Sequence, residues 1–482
     1  MKIRVLLAFF TLALLVVSCG RNNDKRQVKD YLSAFIKENH SVAIFGKVEI
    51  NTLLNKAEYK SVPKFGTIIE SVLNEFSKSI DTKQAIYYAV EGPFTADAEP
   101  KAFYAFISVK SADSLVANLV QKGYDFEKDG DLNFAQFGEL SIGIKNDLAI
   151  IISKSSKTNV KESMEKAFEM SSGDSSEGRV DSILSQNGDI VLGCSLESLY
   201  ATSDTQLSKL DQSKQDEIRE LVVDSYSQTT FAFDDGQVII ETKNFFSEAL
   251  KKRMFLKANE KATILSNLGH GSPIVGFSLN FDIEKLQSFV NDFSPEALNK
   301  MTEKLDMQGP LMMLGENPLS GVSNGQLGAV MLGEPGKNGS MVPDFNIYMG
   351  LGKKGKPLAE MAKSFLSNGS MVTSITKNGI CCYSSINNSP AVGKGLIIPQ
   401  GCESFGKKAI TGFVNFEGMD LSTFDLEGGA KILNIIKYIN FEVDENGARI
   451  FIKAKNGKEN ILKQSMNFFL QEFESQISGI SI

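Results

Sequence analysis

The segment Gly350-Leu351-Gly352-Lys353-Lys354-Gly355-Lys356-Pro357 has the glycine and lysine spacing of a phosphate-cradling loop. In such a loop backbone amides and a lysine meet the anion, and a following hydroxyl holds magnesium. Here Pro357 stands at the hydroxyl position, so the metal ligand is missing, and the stretch reads as a basic turn between a strand and a helix. Ser61-Val62-Pro63-Lys64 and Ser374-Ile375-Thr376-Lys377 space a serine from a lysine as a nucleophile and its base would be. The pair needs a helix start and companion motifs, and both are lacking. His40 and His270 each fall in a turn before a predicted strand, and two histidines alone leave zinc short of ligands. Asp234-Asp235 and Asp444-Glu445 lack the Asp-x-Asp-x-Asp-Gly spacing of a calcium loop and read as turn acids accepting from their own backbone. The sequence therefore assigns no catalytic, cofactor-binding or metal-ligating residue and calls for no cofactor.

Composition narrows the classes further. The 482 residues are 42% hydrophobic and 23% charged, enough apolar material for more than one core. The net charge of -7 argues against a nucleic-acid partner, which would require a basic surface. Two histidines and no tryptophan thin out histidine-based triads and tryptophan sugar platforms. Phenylalanines number 33 against 11 tyrosines and fall at core-facing alternation. Together with methionine they would also suit a soft groove for an apolar ligand.

The N-terminus carries the most specific signal. Lys2 and Arg4 precede an apolar run from Val5 to Val17, interrupted at Thr11 and followed by Ser18-Cys19-Gly20. The run is too short for a mature membrane span and has the flanks of an export signal. Val16, Ser18 and Cys19 supply the aliphatic residue, small residue and cysteine of a bacterial lipoprotein signal peptide, which this segment resembles. The resemblance implies cleavage before Cys19, diacylglycerol on its thiol, palmitate-type acylation of the new amino group, and hence a lipid-anchored protein. Gly20, where aspartate would resemble an inner-membrane retention signal, favours the outer membrane. Arg21 to Arg26 lacks the acidic cluster of surface-exposed lipoproteins, which favours the periplasmic face over the cell surface. Cys194, Cys381, Cys382 and Cys402 are too sparse for a disulfide scaffold. Cys381 and Cys382, adjacent on a predicted strand, point to opposite faces and read as unpaired core thiols.

These residues sit on alternating strands and amphipathic helices. Val42 to Ile50 alternates and leads into a helix, and Lys64 to Ile80 carries one helical stripe at Phe65, Ile68, Ile69, Val72, Leu73 and Phe76. Ala85–Val90 and Phe103–Val109 read as a hairpin around Gly92-Pro93, and Ser111 caps a helix that Gly123 stops. The same order recurs downstream. Val42 maps 233 positions on to Val275, Phe103 maps 242 on to Phe345, and Gly92 maps 241 on to Gly333. Ile190 maps 220 on to Ile410, and Phe231 maps 210 on to Phe441. The pattern implies a tandem duplication. The expected architecture is α+β: residues 1–18 are the signal peptide, 19–39 the lipidated cysteine and tether, and 40–268 and 271–482 two duplicated units. Each unit would be an antiparallel-rich sheet with helices on one face.

On these elements the mature chain resembles uncharacterised Bacteroidota lipoproteins of comparable length that carry a domain of unknown function. Those proteins also begin with a strand-to-helix unit like Val42 to Leu54, then a hairpin and helix like Ala85 to Val120. The resemblance implies no activity. The expectation is a non-enzymatic binding or scaffolding lipoprotein of the cell envelope, partnered by the membrane and by another envelope protein. The alternatives are a hydrolase whose site is not visible in local sequence, and a carrier of an apolar ligand.

Overall fold

The computed structural model describes residues 26–62, 65–95, 99–154, 159–174, 178–202, 211–293, 317–333, 344–366, 372–384, 395–419 and 428–478. Cys19 and Lys64 lie outside them. The fold is α+β, and the chain divides into two compact units. One comprises Met1–Asp235, Thr242–Ser247 and Lys458–Ile482, the other Gly236–Glu241 and Glu248–Gly457.

The first unit opens with α1 (Val28–Glu38), where Gln27 and Asp30 form a reciprocal cap. Val28, Leu32 and Phe35 share one helical face and are at most 1% exposed. This corrects the expectation that residues 19–39 are only a tether: the stripe is short, but it is core. Next come β1 (Val42–Val48), α2 (Ile50–Lys56), α3 (Phe65–Phe76), β2 (Ile86–Phe94) and β3 (Pro100–Ser108). In α4 (Ala112–Gln121) the Ser111 hydroxyl accepts from the Ser114 amide at 3.2 Å, the predicted cap. A meander follows of β4 (Glu127–Asp129), β5 (Leu132–Phe137), β6 (Leu140–Lys145) and β7 (Leu148–Lys154). The unit continues with α5 (Val160–Ser172), α6 (Arg179–Leu184), β8 (Ile190–Ser195), α7 (Leu196–Thr202), α8 (Gln212–Val222) and β9 (Tyr226–Asp234). Antiparallel ladders set the order β4-β5-β6-β7-β3-β2-β1-β8-β9.

Helices cover both faces of this sheet, not the single face expected. Along β3, Tyr104 and Phe106 pack with Phe35 of α1, Met164 of α5 and Ile183 of α6. The alternate residues Ala105 and Ile107 pack with Phe76 of α3 and Leu115 and Leu119 of α4. Near-continuous apolar strands such as β7 (burial unbroken from Leu148 to Ile152) follow from this double coverage.

Strand β10 (Gln237–Phe245) has residues in both units. The second unit contains α9 (Glu248–Arg253), β11 (Val275–Asn280), α10 (Ile283–Phe293), α11 (Pro318–Val322), β12 (Ser323–Met331), β13 (Phe345–Leu351) and α12 (Gly355–Leu366). It ends with β14 (Val372–Ile375), β15 (Gly379–Tyr383), β16 (Ile410–Asn415), β17 (Ile436–Asp444) and β18 (Gly447–Ala454). Its antiparallel order is β14-β15-β13-β12-β11-β16-β17-β18. From β14 to β17 this is the order β6-β7-β3-β2-β1-β8-β9 of the first unit, with the strands also met in the same chain sequence.

The expected boundaries shift at two places. Ile264 and Leu268, assigned by sequence to the first copy, pack with Tyr348, Cys402 and Phe405 in the second unit's core. The last helix, α13 (Ile461–Ser478), belongs to the first unit. There Met466 packs against Tyr59, Ile69 and Leu73, and the Lys463 ammonium meets Glu58 at 2.8 Å.

The ladders compare the two units residue by residue. Phe45 faces Ala89 and Gly193, and Gly276 faces Val330 and Phe413. A Cβ on Gly193 would lie 2.5 Å from the Phe45 ring, and one on Gly276 would run into the Phe413 ring. The same cross-strand pair thus holds one ring over one glycine in both units, with the two sides exchanged. On these ladders β3 and β8 keep the sequence offsets of 242 and 220, while β1 slips by two residues, which leaves its faces unchanged.

Candidate functional site: an uncovered apolar sheet face

Directly paired residues share a face of a sheet. In the second unit Phe277 pairs with Ala329 and Ala329 with Ile347; Leu279 pairs with Leu327 and Leu327 with Met349. On the other side Phe277 pairs with Gly412 and Gly412 with Phe441. No side chain in these rows donates or accepts a conventional hydrogen bond. Phe277, Leu327 and Ile347 are 38%, 36% and 37% exposed, three large apolar residues brought together from β11, β12 and β13. The Phe277 and Phe441 rings lie 6.4 Å apart. At the β13 end, Met349 passes under Ala359 of α12 with Ile380 and Cys382.

The corresponding positions of the first unit are Gly46, Ile86 and Ala105, and all are buried. Ile86 and Ala105 lie beneath α3 and α4. Among the described residues of the second unit no helix covers Phe277, Leu327 and Ile347 in this way. The opposite face of the same sheet is closed: Ser278 and Thr411 hydroxyls share a 2.6 Å bond, the Asn346 amide donates to the Leu268 carbonyl at 2.9 Å, and Phe405 meets Phe413 edge-on at 5.1 Å.

The first unit holds a half-open cleft of about 780 Å³ between α1, α5 and the turns of the β4–β7 meander. Leu132, Leu148 and Phe168 line it as apolar surface, with Asp129, Asp131, Glu165 and Glu169 as its acids. Its cations are engaged. Arg26 donates to the Ser172 and Gly173 carbonyls at 3.1 and 2.6 Å, capping α5, and lies 4.7 Å from the Tyr31 ring centroid. Lys145 pairs with Asp131 at 3.1 Å, and Asp129 is itself paired with Lys161, outside the lining, at 2.8 Å. The Tyr31 hydroxyl donates to Asp147 at 2.8 Å; burial, then that bond, push its pKa up to about 12, so it stays protonated at neutral pH. Two buried carboxylates elsewhere in the unit act as staples. Glu91 accepts from Lys101 at 2.5 Å and Tyr104 at 2.7 Å; Asp189 accepts from Lys56 at 2.8 Å and the Phe233 amide at 2.7 Å.

The motifs singled out by sequence are not brought together. In the glycine-lysine loop the Gly352 and Lys354 amides donate to the Val322 and Gly321 carbonyls at 2.8 and 3.0 Å, so they do not point at an anion. Cβ atoms on Gly352 and Gly355 would run into the Ser320 and Val322 carbonyls, so these glycines answer to backbone packing. The Ser61 hydroxyl donates to the Glu58 carbonyl at 2.8 Å, and Ser374 lies on β14. His40 is exposed in the turn before β1, and His270 is half-buried before β11. Among the described residues no group of three or more His, Cys, Asp or Glu is placed to hold a metal ion. Asp444 accepts from the Asn446 amide at 3.0 Å and from Lys408 at 2.8 Å. Burial raises its pKa, but these partners outweigh that and hold it low. Cys194, Cys381, Cys382 and Cys402 are free thiols, and Cys381 and Cys382 do enter cores on opposite faces of β15.

Sequence reading missed the exposed face. Its one available signal was the uninterrupted alternation of Phe277, Leu279, Leu327, Ala329, Ile347 and Met349, which does not distinguish a covered face from an open one.

No family model matches the chain, and no curated protein matches it. Among solved structures, crystal forms IV, I and III of TP0453 are similar to parts of it, at 11%, 13% and 10% identity and TM-scores of 0.25, 0.26 and 0.20. The matches cover 42%, 45% and 74% of this chain and 76%, 79% and 96% of those chains. Among the described residues no helix is long and apolar enough to cross a membrane.

Proposed function

We propose that the chain is an outer-membrane lipoprotein, anchored through Cys19 on the periplasmic face, whose two units are copies of one α+β fold and which binds an envelope partner without transforming it. The anchor is supported by Val16, Ser18 and Cys19 behind a short apolar run. Only eight residues lie between Cys19 and Val28 at the start of α1, which limits the start of that helix to about 30 Å from an anchored cysteine. The first unit would then work at the membrane surface.

The observation that carries a binding function is the contrast between Phe277, Leu327 and Ile347 and their buried counterparts Gly46, Ile86 and Ala105. One sheet position is core in one unit and open in the other, and contiguous exposed apolar surface is what binding faces present. Covering the remaining third of three such side chains is worth roughly 2 kcal/mol, so a firm complex must also engage the half-buried rows around them. The hydrolase alternative has less support, because the cleft's cations are tied to carboxylates or helix carbonyls. Carriage of an apolar ligand is the second reading, favoured by the lack of hydrogen-bonding side chains on the face.

Two experiments test this. Cys19→Ser should abolish palmitate labelling and membrane retention; normal labelling would overturn the anchor, and complete digestion by protease added to intact cells would overturn the periplasmic side. A photo-crosslinker at position 347 in the native envelope should capture a discrete protein, and Phe277→Asp with Leu327→Asp in that same crosslinker form should abolish the capture while β11, β12 and β13 keep their hydrogen-exchange protection. Lipid that copurifies with the protein and is lost with the same changes would favour the carrier. Protein capture unaffected by both changes would refute a role for this face.

A further inference from the structure

We draw no further inference here: the strongest candidate, the apolar face of the second unit's sheet around Phe277, Leu327 and Ile347, belongs to the site already described, and nothing in the structure shows what covers it.

Discussion

Exchanging Phe45 and Gly193 tests the equivalence of the two units at its most specific point. Phe45 is 0% exposed, and its ring occupies the volume above Gly193 on the neighbouring strand. Truncation to alanine would leave a cavity costing about 3–5 kcal/mol, and Phe45→Gly costs roughly 1 kcal/mol more through backbone freedom in a strand. Gly193→Phe alone would place two rings in one site, an overpacking penalty of about 1–3 kcal/mol or more. In the double variant Phe45→Gly/Gly193→Phe, one glycine is lost and one gained, so the backbone terms cancel, and the ring returns from the opposite strand as Phe413 does over Gly276. The coupling between the two changes should be favourable by about 2–3 kcal/mol, at the upper end for residues in direct contact. The chain has two compact units, so a single denaturation midpoint would mix them. Hydrogen exchange read peptide by peptide over β1 and β8 isolates the effect. Phe45→Gly should lower protection there by more than a hundredfold, and adding Gly193→Phe should restore at least tenfold of it, at 1.4 kcal/mol per factor of ten. A double variant no better protected than Phe45→Gly would refute the claim that β1 and β8 stand to each other as β11 and β16 do.

Two other outcomes follow from burial. Burial raises the thiol pKa values of Cys194, Cys381, Cys382 and Cys402, that of Cys402 to about 12 with Glu403 adding to the effect. The Cys19→Ser form, which keeps only these four thiols, should therefore react with an aromatic disulfide reagent at far below one equivalent at pH 8 when folded and at four equivalents in urea; rapid native labelling of Cys381 or Cys402 would contradict the described cores. The buried tyrosines Tyr87, Tyr104 and Tyr383 and the half-buried Tyr31 and Tyr88 ionise above the ordinary value of 10, chiefly through desolvation. A folded-state value above the unfolded one contributes stability that is whole below pH 10 and is lost as pH rises through the folded value. Phenolate absorbance should lag a free-tyrosine titration and then rise together with unfolding, and Tyr31→Phe should lessen the loss of α1 protection between pH 10 and 12. A smooth titration centred at 10 with the fold intact would overturn this.

What the sequence determined by itself is what short-range periodicity encodes. The strands at Val42–Val48 and Phe103–Ser108, the Ser111 cap, and the opposite faces of Cys381 and Cys382 depend on residues within a few positions of one another, and all are found in the structure, although a bulge between Val42 and Ile44 breaks the alternation of the first strand. The missing hydroxyl at Pro357 was equally plain in the chain. Periodicity names a face but not what lies on it, and the remaining features were settled there. Val28, Leu32 and Phe35 became core because Tyr104 and Phe106, some seventy residues on, needed a cover. Met466 and Lys463 carry the last helix to Tyr59 and Glu58, a pairing across the length of the chain that no local pattern records. That the amides of the glycine-lysine loop are taken by the Gly321 and Val322 carbonyls is likewise a product of tertiary packing. The same holds for the apolar rows around Phe277 and Ile347. Their composition is written in the sequence, but their exposure is decided by which helices the tertiary fold places over the sheet, since burial belongs to a surface in contact and not to a residue.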